Sequence, residues 1–203
     1  MYRRFLSFFG IAALSLLIFS ALPADAADAT SSEFLRSLAE TDATLWEPRA
    51  RDILLVDVGQ STGYLVHEDG RALQFPVATG RREYVSYIGR YYKADTPIRS
   101  WTARQKQIKG DRRTFGVSGR FIRLFRNGES SPYGIHSYFK VADWMQEDER
   151  YFSMGCIVVT EKMMDVIERT FDANGGNMKV ITTNDAQAAL ESLLYVSGDD
   201  GRS

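Results

Sequence analysis

The side chains of this chain best suited to nucleophilic chemistry are one thiol and two imidazoles. The 203 residues include a single cysteine, Cys156, and two histidines, His67 and His136. A thiol attacks an amide carbonyl as its thiolate, and a neighbouring imidazole both lowers the thiol pKa and protonates the leaving amine. Cys156 and one histidine are thus the smallest set that could cleave and re-form amide bonds. A lone cysteine is more often an inert apolar side chain, and the count alone leaves that alternative open.

The local sequence separates the two histidines. His67 adjoins the turn at residues 68–71 and is predicted to be a surface residue at a strand end. His136 lies in the strand-like segment 133–137, and Cys156 follows it by twenty residues. Gly155 has no side chain, so the main-chain N–H groups of residues 155 and 156 could point at a developing oxyanion. Spacing alone does not show that His136 and Cys156 meet.

The elements that would position these residues are mostly strands. Apolar and β-branched runs, separated by turn residues, predict strands at residues 53–58, 63–67, 72–77, 98–103, 121–125, 133–137, 155–159 and 178–182. Thr160 is a predicted N-cap for a helix that ends at residues 174–176, and a last helix begins at Asn184 or Asp185. The polar residues 146–150 are predicted to form a loop. The pattern indicates a mostly β domain of the α+β class, with one or two packed helices.

The N-terminus indicates export. Arg3 and Arg4 give a basic start, residues 5–22 are apolar and uncharged, and Ala24 and Ala26 are small residues where a signal peptidase cuts. Residues 1–26 are therefore predicted to be a signal peptide, and an uncleaved membrane anchor is the alternative. Either reading places the protein in the periplasm or cell envelope. Residues 27–51 are predicted as a helix and linker, 52–183 as the main domain, and 184–203 as a C-terminal helix with a frayed tail.

Positive charge is concentrated in residues 81–126, which hold 13 lysines and arginines against three acidic residues. A basic face attracts anionic polymers, and in an exported protein these are cell-wall carboxylates or anionic lipids before nucleic acid. Pairing with the acidic flanks of the segment is the alternative.

Several short motifs, in their order along the chain, resemble the L,D-transpeptidase (YkuD-type) catalytic domain. The resemblance covers residues 52–183 and rests on these segments: Val56-Asp57, Gly63-Tyr64-Leu65-Val66, residues 75–80, Thr96-Pro97, Ile135-His136-Ser137 and Ser153-Met154-Gly155-Cys156-Ile157. It implies an L,D-transpeptidase-like β-sandwich. It also implies that Cys156 is the acyl-accepting nucleophile, that His136 is its base and acid, and that the Ser137 main-chain carbonyl orients the imidazole.

The resemblance further implies the substrate and the residues that contact it. The substrate would be a peptidoglycan stem peptide, contacted by Tyr133, Ser153, Met154 and Gly155, with no metal or cofactor. No nucleic acid is expected as a partner, and the membrane is one only if the N-terminal segment stays uncleaved. Transfer of the stem to an amine acceptor is the leading activity.

Three positions depart from the family pattern. Met154 replaces a histidine, Val158 replaces an arginine or asparagine, and Arg99 stands where a glycine is expected. The Ser-x-Gly-Cys form followed by Thr160-Glu161 resembles a branch that includes a hydrolase releasing lipoprotein from the wall. A carboxypeptidase, endopeptidase or amidase acting on peptidoglycan or on a wall-anchored lipoprotein is therefore one alternative, and an inactive peptidoglycan-binding module is another.

Overall fold

The computed structural model of this chain describes residues 45–87 and 89–199. The strands in that part are β1 Ile53–Asp57, β2 Thr62–Val66, β3 Ala72–Pro76, β4 Thr79–Gly80, β5 Tyr84–Tyr87, β6 Arg90–Lys93, β7 Arg99–Ile108, β8 Arg120–Arg126, β9 Glu129–His136, β10 Tyr151–Ser153, β11 Ile157–Val158 and β12 Met178–Thr183. The helices are α1 Val141–Trp144, α2 Glu161–Ala173 and α3 Ala186–Asp199. The predicted signal peptide, leading helix and residues 200–203 lie outside the described residues.

Eight strands form one curled sheet in the order β11-β9-β8-β7-β12-β1-β2-β3. The neighbours are antiparallel except for β1 with β12 and β11 with β9, which are parallel. Two further sheets have two strands each, β10 with β4 and β5 with β6. This confirms the mostly β class with packed helices. No helix within residues 45–87 and 89–199 is long and apolar enough to span a membrane.

Both faces of the sheet are covered because its central strands are apolar on both sides. Leu54 of β1 belongs to the core that includes Ile167 of α2, whereas Leu55 faces the cluster that includes Leu190 of α3. Successive residues of a strand point to opposite faces, so the two helices pack on opposite sides of the sheet. Helix α2 begins as predicted, with the Thr160 hydroxyl accepting the main-chain N–H of Met163 at 3.1 Å.

Other predicted elements differ from those observed. Strands β4, β5, β6 and β10 and the short helix α1 form in segments that the sequence indicated as connectors. The hairpin of β5 and β6 is mostly exposed, and so it lacks the apolar alternation that marks a half-buried strand. Helix α3 continues to Asp199, into the tail that was predicted to be frayed.

His67 is not a surface residue, and that prediction is wrong. Its side chain is only 4% exposed, and its Nδ1 lies 2.6 Å from Oδ1 of Asp52, which is buried as well. The ring stacks on Trp46 with the centroids 3.8 Å apart. Asp52 also accepts the main-chain N–H of Arg49 at 2.7 Å. A buried polar group is tolerated when it is hydrogen-bonded, and His67 has a structural environment of this kind, enclosed by residues before β1.

Ion pairs neutralise only part of the basic segment. Acidic residues of α2 pair with two of its cations, in the contacts of Arg120 with Glu161, Asp165 and Glu168 and of Lys106 with Glu168 and Asp172. Within the described residues, Arg99, Arg123 and Arg126 form no ion pair with a carboxylate. The predicted pairing with acidic flanks therefore accounts for part of the segment and leaves a group of arginines unpaired.

Candidate active site

Strands β9 and β11 bring two distant parts of the chain side by side. They are parallel neighbours, with His136 opposite Val158. Extending this register by one residue places Cys156 opposite Gly134. Paired residues point to the same face of a sheet, and residues two apart on a strand share that face. The side chains of Cys156 and His136 therefore lie on one face of the sheet edge, although twenty residues separate them in sequence.

The imidazole of His136 is buried at the end of β9. Its Nδ1 lies 2.6 Å from the main-chain oxygen of Ser137, and because a carbonyl only accepts, Nδ1 carries the hydrogen. The rings of Phe115 and Phe121 pack against it, at centroid distances of 5.1 and 5.8 Å. Burial lowers the pKa of His136 and outweighs the main-chain hydrogen bonds with Ser137 and Thr114, which raise it. The ring is therefore neutral at pH 7, which is the form that can accept a proton.

Cys156 is a protonated thiol at rest. The residue is partly exposed, whereas burial around its sulfur raises the pKa to about 11. A main-chain hydrogen bond with Gly134 and the positive charge of Arg123 lower this pKa but do not offset the burial. Among the hydrogen bonds of the described residues, none joins the thiol to His136. The thiol and the imidazole on this face of the sheet edge are thus both neutral at rest, rather than a thiolate–imidazolium pair.

This neutral pair implies a steep pH dependence for alkylation of the thiol. Only the thiolate reacts with iodoacetamide, so with a pKa of about 11 we expect the rate to rise about tenfold per pH unit between pH 7 and 10. Mass spectrometry of the only cysteine measures this rate. The urea-unfolded chain serves as the control, and its alkylation rate should level off once the pH exceeds the ordinary thiol pKa. A folded-state plateau below pH 8 would contradict the neutral pair.

The loop before β11 is held by side-chain hydroxyls that donate to three successive main-chain carbonyls. The bonds are Tyr92 Oη to Met154 O at 3.5 Å, Thr96 Oγ1 to Gly155 O at 3.0 Å and Ser153 Oγ to Cys156 O at 2.6 Å. Thr96 Oγ1 also accepts the main-chain N–H of Gly80 at 2.9 Å, which ties this loop to β4. With these carbonyls engaged, the orientation of each peptide plane is fixed, and so is the direction of the Cys156 N–H.

Gly155 has a conformation that other residues rarely adopt. Its φ is +115°, and a Cβ there would lie 2.6 Å from Cε1 of Tyr133 and 2.7 Å from the Asp95 main-chain oxygen. Its N–H donates to Ser153 Oγ at 3.0 Å, so the expectation that this group faces an oxyanion is wrong. The N–H of Cys156 remains as a candidate oxyanion donor in this loop.

The other predicted substrate contacts surround this loop. Tyr133 packs beside Gly155 and meets Trp101 edge to face, with the ring centroids 5.6 Å apart. Met154 is 36% exposed, so its side chain is accessible to a ligand. The Ser153 hydroxyl is occupied within the loop. Contact of these residues with a substrate stays a prediction.

Three residues near the thiol were not among the predicted site residues. Tyr92 and Thr96 hold the loop, and Arg123 acts on the thiol through its charge. Thr96 belongs to the Thr-Pro motif, which was the one available signal, whereas Tyr92 lies in a segment that looked like a connector. Arg123 was one basic residue among 13 in its segment.

The family comparison agrees with this arrangement of strands and motifs. The family model for YkuD, the L,D-transpeptidase catalytic domain, matches residues 51–173. The chain therefore belongs to the YkuD family of L,D-transpeptidase catalytic domains, a family of enzymes that act on peptidoglycan. The comparison with curated proteins gives no match.

Solved structures similar to this chain include three at low sequence identity. An L,D-transpeptidase of Xylanimonas cellulosilytica is 17% identical, with a TM-score of 0.48 and coverage of 68% of this chain and 63% of that chain. The helical cell shape determining protein Pgp2 of Campylobacter jejuni is 14% identical, with a TM-score of 0.46 and coverage of 81% and 61%. An L,D-transpeptidase of Mycobacterium smegmatis is 17% identical, with a TM-score of 0.43 and coverage of 66% and 59%. This chain spans about three fifths of the length of these solved chains.

Proposed function

We propose that this protein is an exported cysteine acyltransferase that acts on peptidoglycan stem peptides. The observation that carries the proposal is the placement of Cys156 and His136 on one face of the β9–β11 edge, with the imidazole neutral and oriented by Ser137. Membership of the YkuD family supports peptidoglycan as the substrate class. The basic N-terminus followed by an apolar run supports export to the periplasm or cell envelope.

In the first half-reaction, the sulfur of Cys156 attacks the carbonyl carbon of the stem-peptide amide. The imidazole of His136 accepts the thiol proton as the C–S bond forms, because without a base the thiol stays protonated at neutral pH. The N–H of Cys156 stabilises the oxyanion of the tetrahedral intermediate. The intermediate then expels the terminal amino acid, whose amine nitrogen takes the proton from His136, and a thioester remains on Cys156.

In the second half-reaction, an acceptor resolves the thioester and regenerates the thiol. Attack by the amine of another stem forms a cross-link, with His136 taking the amine proton and returning it to the sulfur. Attack by water releases the shortened stem as a free acid instead. The two outcomes share every protein group named above, so access of water to the acyl-enzyme decides between them.

Product analysis of the purified protein tests this proposal. Disaccharide-tetrapeptide muropeptides are incubated with the wild type and with Cys156→Ala, and the products are separated and weighed by mass spectrometry. We expect dimeric muropeptides together with released D-alanine from the wild type alone. Tripeptide without dimers would assign the hydrolase activity. Equal products from Cys156→Ala, or none from either protein, would refute the acyltransferase.

A peptidoglycan-binding domain without turnover is the second candidate, and two observations favour it. The pKa of Cys156 is raised to about 11, and the N–H of Gly155 is already bonded to Ser153. Both features describe a site that is not poised for attack at rest. Binding of muropeptides that is unaffected by Cys156→Ala, without any product, would establish this function.

A further inference from the structure

A cavity of about 460 Å³ opens between the start of β7 and the turn that joins β8 to β9. Its walls include the rings of Trp101 and Tyr133 and the side chains of Arg99, Arg126 and Glu129. The rings form an apolar wall, and the guanidinium groups supply positive charge. A ligand that complements both carries carboxylates on a partly apolar frame, as an acidic peptide does.

Tyr133 connects this cavity to Cys156. The phenol ring packs against Gly155, the residue directly before Cys156, since a Cβ on that glycine would lie 2.6 Å from Tyr133 Cε1. On another side the same ring meets Trp101, which also lines the cavity. Burial is the main cause of the raised pKa of Tyr133, the positive charge of Arg99 lowers this pKa, and a thiolate at Cys156 would raise it further. Tyr133 thus belongs both to the wall of the cavity and to the packing of the loop that carries Cys156.

The two arginines of the cavity are available to a ligand. Nε of Arg99 is buried and has no hydrogen-bond partner among the described residues. Arg126 is exposed and, in that same part of the chain, forms no ion pair, although Glu129 is its cross-strand neighbour. Arg120 of the same basic segment, in contrast, contacts three carboxylates of α2. Nε of Arg120 is buried without a partner as well, so what distinguishes Arg99 and Arg126 is that neither pairs with a carboxylate of the described residues, and a carboxylate ligand would supply that partner.

We propose that Arg99 and Arg126 form a carboxylate-binding subsite, which holds the acidic stem peptide while Cys156 attacks its amide. This inference rests on the proposed function, because it names the substrate groups that the same site recognises. A guanidinium group can bind both oxygens of a carboxylate, so two arginines on one cavity favour a peptide with two free carboxylates. The partly buried ring of Tyr133 packs against the methylene groups of the peptide between the two carboxylates. The subsite thus discriminates against stems whose carboxylates are amidated.

Calorimetric titration of the Cys156→Ala protein tests the subsite without turnover. The probes are the tetrapeptide L-alanyl-γ-D-glutamyl-diaminopimelyl-D-alanine and the same peptide with its glutamyl and diaminopimelyl carboxylates amidated. We expect Arg99→Gln or Arg126→Gln to weaken binding of the acidic peptide about 10–150-fold, the range of a lost charge-assisted hydrogen bond. Binding of the amidated peptide should change less than about twofold, since it has no carboxylate to lose at these positions.

Arg169→Gln is the matched control, because it removes the same charge from an exposed position on α2 outside the cavity. It should leave both affinities unchanged. Arg126 is exposed, so its variant keeps the test valid even if Arg99→Gln unfolds. Equal affinities for the two probes, or arginine variants that bind the acidic peptide as well as the parent, would overturn the subsite. Failure of the proposed function would be a separate result. In that case the wild type would form no acyl-enzyme, but the arginine substitutions would still weaken binding of the acidic peptide.

Discussion

Replacing His136 by glutamine is expected to lower kcat/KM for acyl transfer about 10²–10⁴-fold, the usual contribution of a positioned general base. With a thiol pKa of about 11, only about one molecule in ten thousand carries a thiolate at pH 7. Without the imidazole, the reaction depends on that small fraction. The residual rate of His136→Gln should therefore rise about tenfold per pH unit from pH 7 to 10, whereas the wild type should depend on pH much less. Initial rates of product formation across this range measure both.

His67→Gln is the matched control for this prediction. It removes the other histidine, which stacks on Trp46 and contacts Asp52 in the interior. Its expected effect is a lower free energy of unfolding, with the rate of the remaining folded protein close to that of the wild type. Equal losses of rate in the two variants, measured per folded molecule, would argue against His136 as the base.

Gly155→Ala is expected to have the largest effect of any single-methyl addition in the site. The positive φ disfavours any side chain by about 1–2 kcal/mol, and overpacking against a ring and a main-chain oxygen adds about 1–3 kcal/mol. The new Cβ would lie 2.6 Å from Tyr133 and 2.7 Å from the Asp95 carbonyl, so the loop must move. We expect a loss of about 2–5 kcal/mol in the free energy of unfolding, with acyl transfer reduced at least tenfold because Cys156 is displaced.

Gly175→Ala separates the two causes. Gly175, in the turn after α2, also has a positive φ, +62°, but a Cβ there would meet nothing within 4 Å. Its expected loss is about 1–2 kcal/mol, with no effect on the chemistry. Urea denaturation and initial rates of both variants give the comparison. If the two alanine variants lose equal stability and both keep full activity, the close packing of Gly155 does not position the nucleophile.

The parts of this protein that could be predicted from sequence are those with a strong local signal. Strands β1 to β3 have apolar runs between turn residues, and helix α2 has both an apolar face and Thr160 as its cap. The pairing of β9 with β11 is not local, because it joins segments twenty residues apart. Only the resemblance to a known family connected His136 with Cys156 in advance.

The features that sequence reasoning missed depend on contacts between distant residues. His67 is buried because Trp46 and Asp52 enclose it, and neither lies in its own strand or turn. A hydrogen bond from Tyr92 to Met154, which are 62 positions apart in sequence, holds the β5–β6 hairpin to the site. The N–H of Gly155 is already engaged because it donates to the Ser153 hydroxyl. A sequence pattern does not specify the direction of that side chain.

The charge of the basic segment also acquires its meaning only in three dimensions. From the sequence, a face that binds an anionic polymer and pairing with the acidic flanks were equal alternatives for this charge. Arg120 pairs with α2, whereas Arg99 and Arg126 line a cavity beside Tyr133. Within this one segment, some cations thus form structural ion pairs, whereas others line a cavity without an ion pair among the described residues. Arg99 also occupies a position where the family pattern has a glycine, so a departure from the pattern becomes a candidate specificity determinant.

Mass spectrometry of the acylated protein tests the central role of Cys156 most directly. The wild type and Cys156→Ala are incubated with a carbapenem and, separately, with the stem tetrapeptide, then weighed intact and after proteolysis. We expect the wild type to gain the mass of one acyl group, located on the peptide that contains Cys156 and removed by hydroxylamine, and the variant to gain none. A wild type that stays unmodified with both reagents, or an adduct on any other residue, would contradict the assignment of Cys156 as the nucleophile.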